Sequence, residues 1–144
     1  MAPSRVVLCV VYGVIALIAL IATWSQNVAY FQSGGSDFIG AFAFIADTKV
    51  TPAARSITAD IALFFLAAAV FMVIEARKHG VRFVWAYIVF GLLVAISVTF
   101  PLFLIAREMR LSASEGALQM PLVDILPLAA FALLILGLTA FIAA

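Results

Sequence analysis

A chain of 144 residues in which 67% are hydrophobic and only 10% charged cannot cover its own surface in water, because a soluble domain is about half apolar and a quarter charged. The polar residues stand in short clusters between long apolar runs, which is the pattern of membrane spans and loops: about 20 apolar residues, at about 1.5 Å each, cross a hydrocarbon core of about 30 Å. A net charge of +1 with no basic stripe beyond the span ends excludes nucleic-acid binding, and the single cysteine, Cys9, allows neither an intramolecular disulfide nor a thiolate metal cluster.

The polar start with Arg5, followed by the run Val6 to Thr23, has the outline of a signal peptide. The run is long, however, and no clear A-x-A site follows it. It is read as helix one, over about 6–24, with Arg5 anchoring one end and Trp24 and Tyr30 at headgroup depth on the other. Tyr12 and Gly13 are its unusual features. The connection over 25–51 is too long for a simple turn. Gly34, Gly35 and Ser36 break it, Ser36 can cap a helix, and Phe38, Phe42 and Ile45 then fall at helical spacing, so a short interfacial helix is predicted over about 37–46.

Thr51 followed by Pro52 reads as a cap with proline in the first turn, so helix two is predicted over about 52–76. Its apolar stretch from Ile61 to Ile74 is too short to cross alone. The turns upstream must also enter the membrane, carrying Asp60 roughly 7 Å inside the edge. A tight basic loop with Arg77, Lys78, His79, Gly80 and Arg82 leads to helix three over about 83–107, with Trp85 and Tyr87 in its interfacial belt. Pro101 removes a backbone donor, leaves the Ser97 carbonyl without its usual partner, and predicts a kink near Ser97 and Thr99. After a polar loop containing Gly116, helix four is predicted over about 121–142, with Asp124 in its first turn and Pro127 one turn further on.

The predicted fold is therefore all-α: a single four-helix transmembrane bundle over 1–144 with an interfacial segment, multi-pass in the inner membrane of a cell. Four basic residues fall on each side, Arg5, Arg77, Lys78 and Arg82 against Lys49, Arg55, Arg107 and Arg110. The compactness of the loop from Arg77 to Arg82 assigns that side, and with it both termini, to the cytoplasm. No internal repeat supports an inverted-repeat transporter.

With this topology Asp60, Arg107, Glu108 and Asp124 converge on the outer edge as a candidate ligand site, with Arg107 the natural partner for an intramembrane Asp60. Helix dipoles alone explain the same signs at helix ends, so a purely structural role is the first reading and the ligand site the second. At the other edge, Glu75, Arg77, Lys78 and Arg82 form a candidate site for a lipid headgroup or partner protein. The first reading of the same residues is a basic anchor in which Glu75 and His79, one turn apart, satisfy each other. A sole histidine rules out a histidine dyad or multi-histidine metal site, no catalytic or nucleotide fingerprint appears, and no metal or cofactor is expected. Gly91 with Ala95, and the run Ala67, Ala68 and Ala69, predict close helix approach. The 13 phenylalanines fill the bundle, face lipid or line an apolar groove.

The stretch over about 44–111, with Asp60 in S-I-T-A-D-I, then I-E-A-R-K-H-G at 74–80, Trp85, and P-L-F-L-I-A-R-E at 101–108, resembles a family of small bacterial integral membrane proteins of unknown function. The resemblance implies a multi-helix membrane protein of about this size and carries no activity with it; helix four lies outside the matching stretch. Three functions stay open. The first is a non-enzymatic component of the bilayer that binds a partner membrane protein, a second copy of itself or an apolar ligand. The second is an enzyme acting on a lipid or isoprenoid, with Asp60 and Asp124 as acid and base and Arg107 orienting the substrate. The third is a transporter subunit.

Overall fold

The structure, a computed structural model, describes residues 2–32, 44–111 and 121–143. Five helices of ten residues or more are described: α1 (Pro3–Gln32), α2 (Pro52–His79), α3 (Val84–Leu93), α4 (Ile96–Leu111) and α5 (Leu122–Ala143). Three of them, α1, α2 and α5, are long and apolar enough to cross a membrane. No strand occurs among the described residues.

Local chemistry sets the ends of α2. The Thr51 side chain accepts a hydrogen bond from the Ala54 amide at 3.0 Å, and Pro52 occupies the first turn, where a missing N–H costs nothing. At the other end Gly80 adopts φ 69°, and its amide closes on the Ala76 carbonyl, so the helix runs three residues beyond the predicted Ala76. Phe83 also sits in the left-handed region, at φ 60°, and turns the chain sharply into α3. Of the predicted interfacial segment, residues 37–43 lie outside the described residues, as do Gly34, Gly35, Ser36 and Gly116. Its end, 44–47, is helical and packs against the last turns of α1: the Tyr30 hydroxyl donates to Asp47 at 2.5 Å, and the Tyr30 ring meets Phe44 edge-on at 5.2 Å.

The predicted helix three is not one helix. The chain breaks at Val94 and Ala95, upstream of Pro101, and doubles back. Tyr87 on α3 meets Phe103 on α4 with ring centroids 5.7 Å apart, and Gly91 faces Thr99, so the two helices are antiparallel arms of a hairpin. Pro101 lies inside α4, five residues from its start, and the predicted kink gives way to a full reversal. In place of the four predicted crossing helices stand three that are long and apolar enough to cross, and a hairpin.

The directions of the remaining helices follow. α4 is parallel to α2, with Phe100 against Phe64 and Phe71 and Arg107 against Glu75. α1 is antiparallel to α4, with Arg5 beside Glu108 and Gly13 opposite Ile105. α5 runs parallel to α1, since Thr139 and Ile142 share a cleft with Gln26 and Asn27 at the far end of α1. Pro3 and Leu122 therefore lie at one end of the bundle and Ala143 at the other. The predicted placement of both termini on one side depended on four crossings, and the hairpin removes one of them.

The core is thin. Met72 and Phe103 are fully buried, and Ala68, Ala76, Val81, Val84 and Ile96 complete it where α2 meets the hairpin. Large apolar side chains stand exposed along α1, α2 and α5, the arrangement expected where hydrocarbon is the solvent. Gly91 is where the packing is tightest: a Cβ there would stand 2.9 Å from Thr99 Oγ1 and 3.1 Å from the Phe65 ring. Of the predicted alanine run only Ala68 is buried. Gly91→Ala is expected to cost about 1–3 kcal/mol through overpacking against a stiff β-branched neighbour. Gly137→Ala on α5, where nothing lies within 4 Å, should leave stability unchanged or slightly raised. Thermal unfolding in detergent measures both, and equal effects would argue against the close approach of the hairpin to α2.

Candidate functional site

Arg5 comes from the first turn of α1, Glu75 and His79 from the last turns of α2, and Arg107 and Glu108 from the end of α4. The hairpin delivers α4 to the end of the bundle where α1 begins and α2 stops, so five ionisable side chains meet there. Arg5 Nη1 donates to Glu108 Oε2 at 2.7 Å, with both side chains about 5% exposed. Arg107 Nη1 donates to Glu108 Oε1 at 3.1 Å, and Arg107 Nε donates to Glu75 Oε2 at 2.5 Å. The result is a relay, Arg5 to Glu108 to Arg107 to Glu75, that ties three helices together and whose formal charges cancel.

His79 Nε2 lies 3.3 Å from Glu75 Oε2, within ion-pair range, yet that nitrogen is buried and makes no hydrogen bond among the described residues. Oε2 is already held by Arg107, and the imidazole stands off the line an N–H would need. The predicted proximity of Glu75 and His79 is present, therefore, but Arg107 satisfies the carboxylate.

The predicted outer-edge cluster does not form. Arg107 and Glu108 sit at the opposite end of α2 from the one assigned to them. Asp60, exposed on α2, is 15 residues from Glu75 and so about 22 Å away along the axis. Asp124 is exposed in the first turn of α5, away from Asp60. The predicted ion pair between Asp60 and Arg107 is replaced by Arg107 with Glu75 and Glu108. Of the predicted headgroup set, Glu75 is buried in the relay, while Arg77, Lys78 and Arg82 are exposed around the loop that follows it. Among the described residues no three His, Cys, Asp or Glu side chains gather as metal ligands would.

The sequence predicts Arg5 only as a span anchor, and Glu75 in the headgroup set rather than as the partner of Arg107. Charge balance was the available signal, since two carboxylates and two guanidiniums cancel only if α4 ends beside Arg5. Chemically the relay is a set of charge-assisted hydrogen bonds that engages both oxygens of Glu108 and holds Glu75 through Oε2. Its role is to fix which helix ends meet. Removing one partner strands a buried charge, and a loss of about 3–5 kcal/mol is expected for Glu108→Gln. Arg5→Gln with Glu108→Gln should cost clearly less than the sum of the two single changes, whereas Asp60→Asn should stay within about 0.5 kcal/mol. Detergent unfolding of the single and double variants reads the coupling, and strictly additive losses would refute it.

Most of the site falls within a recognisable family. The model of a protein family of unknown function, DUF2834, matches residues 11–109, which takes in Glu75, His79, Arg107 and Glu108 and leaves Arg5 and α5 outside. No curated protein and no solved structure matches the chain. With more than half of its length matched, the chain belongs to the family of proteins of unknown function DUF2834.

Proposed function

We propose that the protein is a small non-enzymatic component of a membrane that assembles with another membrane protein along the groove between α1 and α5. The observation that carries this reading is the turn at Val94 and Ala95. Gly91 meets both Thr99 and Phe65, the latter ten residues before Glu75, so the turn lies roughly 20 Å from the relay end of the bundle, inside a hydrocarbon core of about 30 Å. Non-helical backbone at that depth is tolerated only where protein or water covers it. The Val94 amide closes on the Phe90 carbonyl, and the Ala95 carbonyl takes the amides of Val98 and Thr99. The amides of Ile96 and Ser97, at the start of α4, have no intrahelical acceptor.

Ser97 is exposed and faces the groove between α1 and α5, a cleft of about 660 Å³ walled by such residues as Val14, Ile18, Leu128, Ala132 and Ile135. A lipid chain fills such a cleft without offering a hydrogen bond. A partner helix with a polar side chain at that depth fills it and offers one, which favours a protein over an apolar ligand. The acid and base pair of the enzyme reading has lost its geometry, with Asp60 and Asp124 far apart.

Native mass spectrometry of the chain gently extracted from its own membrane tests this. A stoichiometric partner is expected, retained by a Leu133→Trp variant, whose side chain lies outside the groove, and lost from Ala132→Phe, which fills it. A mass of two copies would identify the partner as the chain itself. Retention of an apolar small molecule alone would replace the partner by a ligand, and a bare monomer would overturn the reading.

We further infer that the relay end is cytoplasmic. Arg5, Arg77, Lys78, Arg82, Arg107 and Arg110 all lie there and only Lys49 and Arg55 lie at the other end, so the four-to-four tie becomes six to two under the positive-inside rule. The N-terminus is then inside and the C-terminus outside. Single cysteines in a Cys9→Ala background test this without altering any cation. Val50→Cys should react with a membrane-impermeant thiol reagent in intact cells, and Phe83→Cys and Met109→Cys should not. Labelling at Met109 together with Val50 would overturn the hairpin, while labelling at Phe83 and Met109 alone would invert the orientation.

A further inference from the structure

We infer that the turn between α2 and α3 is a binding site for the headgroup of an anionic phospholipid. The cations at this end of the bundle fall into two groups. Arg5 and Arg107 are consumed by the relay. Arg77, Lys78 and Arg82 are exposed and make no ion pair among the described residues. Arg77 and Arg82 line one cleft, of about 550 Å³, that opens at the turn. Its floor is apolar, formed in part by the buried Val81 and Val84, and its rim carries Phe83, 81% exposed, and Trp85, 61% exposed.

Each part of this cleft matches one part of a phospholipid. Guanidinium groups bind phosphate with two parallel, charge-assisted hydrogen bonds, and two arginines line the cleft. Aromatic rings favour the headgroup level, where an exposed Phe83 and Trp85 would stand, and the apolar floor suits the first methylenes of an acyl chain. A water-soluble anion would use the arginines alone and leave two large rings and the floor bare, so the combination selects a charged amphiphile. The turn geometry holds the parts together: Gly80 and Phe83, both left-handed, bring Arg77 and Arg82 to the same opening. The main-chain start of α3, which no side chain caps, adds a favourable dipole for a phosphate without being needed for the site. The site involves neither the groove of α1 and α5 nor any partner protein.

The test is native mass spectrometry of the full chain in detergent, titrated in parallel with dioleoylphosphatidylglycerol and dioleoylphosphatidylcholine. The anionic lipid should bind at least tenfold more tightly. At roughly fivefold for each cation near a membrane surface, Arg77→Gln with Arg82→Gln should remove about 25-fold of that affinity. Arg110→Gln, another exposed cation at the same end but outside the cleft, should leave it unchanged, and melting curves check that all variants are folded. Equal binding of the two lipids, or as large a loss from Arg110→Gln as from the double variant, would overturn the proposal in favour of a diffuse basic collar. Release of bound phosphatidylglycerol by millimolar inorganic phosphate would overturn it in favour of a soluble anion.

Discussion

Glu75 and Glu108 are buried at the end of a bundle whose flanks are hydrocarbon-like, and a carboxylate without a cation there would carry the full cost of desolvation. The cations come from Arg107 on the same helix as Glu108 and from Arg5 on another, which constrains the chain more than any apolar contact does. α2 must stop, α1 must begin and α4 must end at the same place. A chain leaving α2 at Gly80 can satisfy that requirement only by turning round before it has crossed, and it does so at Val94 and Ala95. Apolar residues of similar volume would pack the same space without the desolvation cost. What the relay adds is register, because leucines tolerate a slipped helix and a guanidinium held against a carboxylate at 2.7 Å does not.

Most of the helices were legible in the sequence because each rests on local chemistry. Thr51 and Pro52 start α2 as their side chains require, Gly80 follows its end, and the runs that became α1 and α5 are apolar over enough residues to span. The hairpin was not legible. Residues 83–106 form an almost unbroken apolar stretch long enough for one crossing, and periodicity cannot separate one long buried helix from two short ones back to back. Val94 and Ala95 carry no turn chemistry, and Pro101, the one breaker in the segment, sits inside a helix. The error propagated from there: a helix assumed to cross put Arg107 beside Asp60, and the same helix folded back puts it about 22 Å away beside Glu75.

The basic residues divide along the same line. Arg5 and Arg107 are paired and sequestered, whereas Arg77, Lys78, Arg82 and Arg110 at the same end are exposed, Arg77 and Arg82 lining one cleft. This division separates cations that the fold pairs from cations left exposed at the same end, a distinction that the sequence, with eight Lys and Arg, does not make. It also explains why Glu75, which in sequence sits among Arg77, Lys78 and Arg82, does not belong with them: it is turned inward to Arg107 while they face out.

The two halves of the bundle differ in how far they are complete. Near the relay, opposite charges cancel within the chain, and the largest fully buried side chains, Met72 and Phe103, pack just behind them. Beyond the hairpin turn α1, α2 and α5 continue among the described helices, and some polar groups of that half stand open. The first amides of α4 have no intrahelical acceptor, Ser97 faces a groove, and Asp60, which has no ion pair among the described residues, is exposed at a depth close to that of the turn. An exposed carboxylate within a span costs about 2.5–3.5 kcal/mol at the centre and less toward the edge, and unsatisfied amides add to that cost. Lipid tails lower neither. A second polypeptide carrying a hydroxyl, an amide or a cation at matching depth would lower both, so the incomplete half is where an assembling partner has most to contribute.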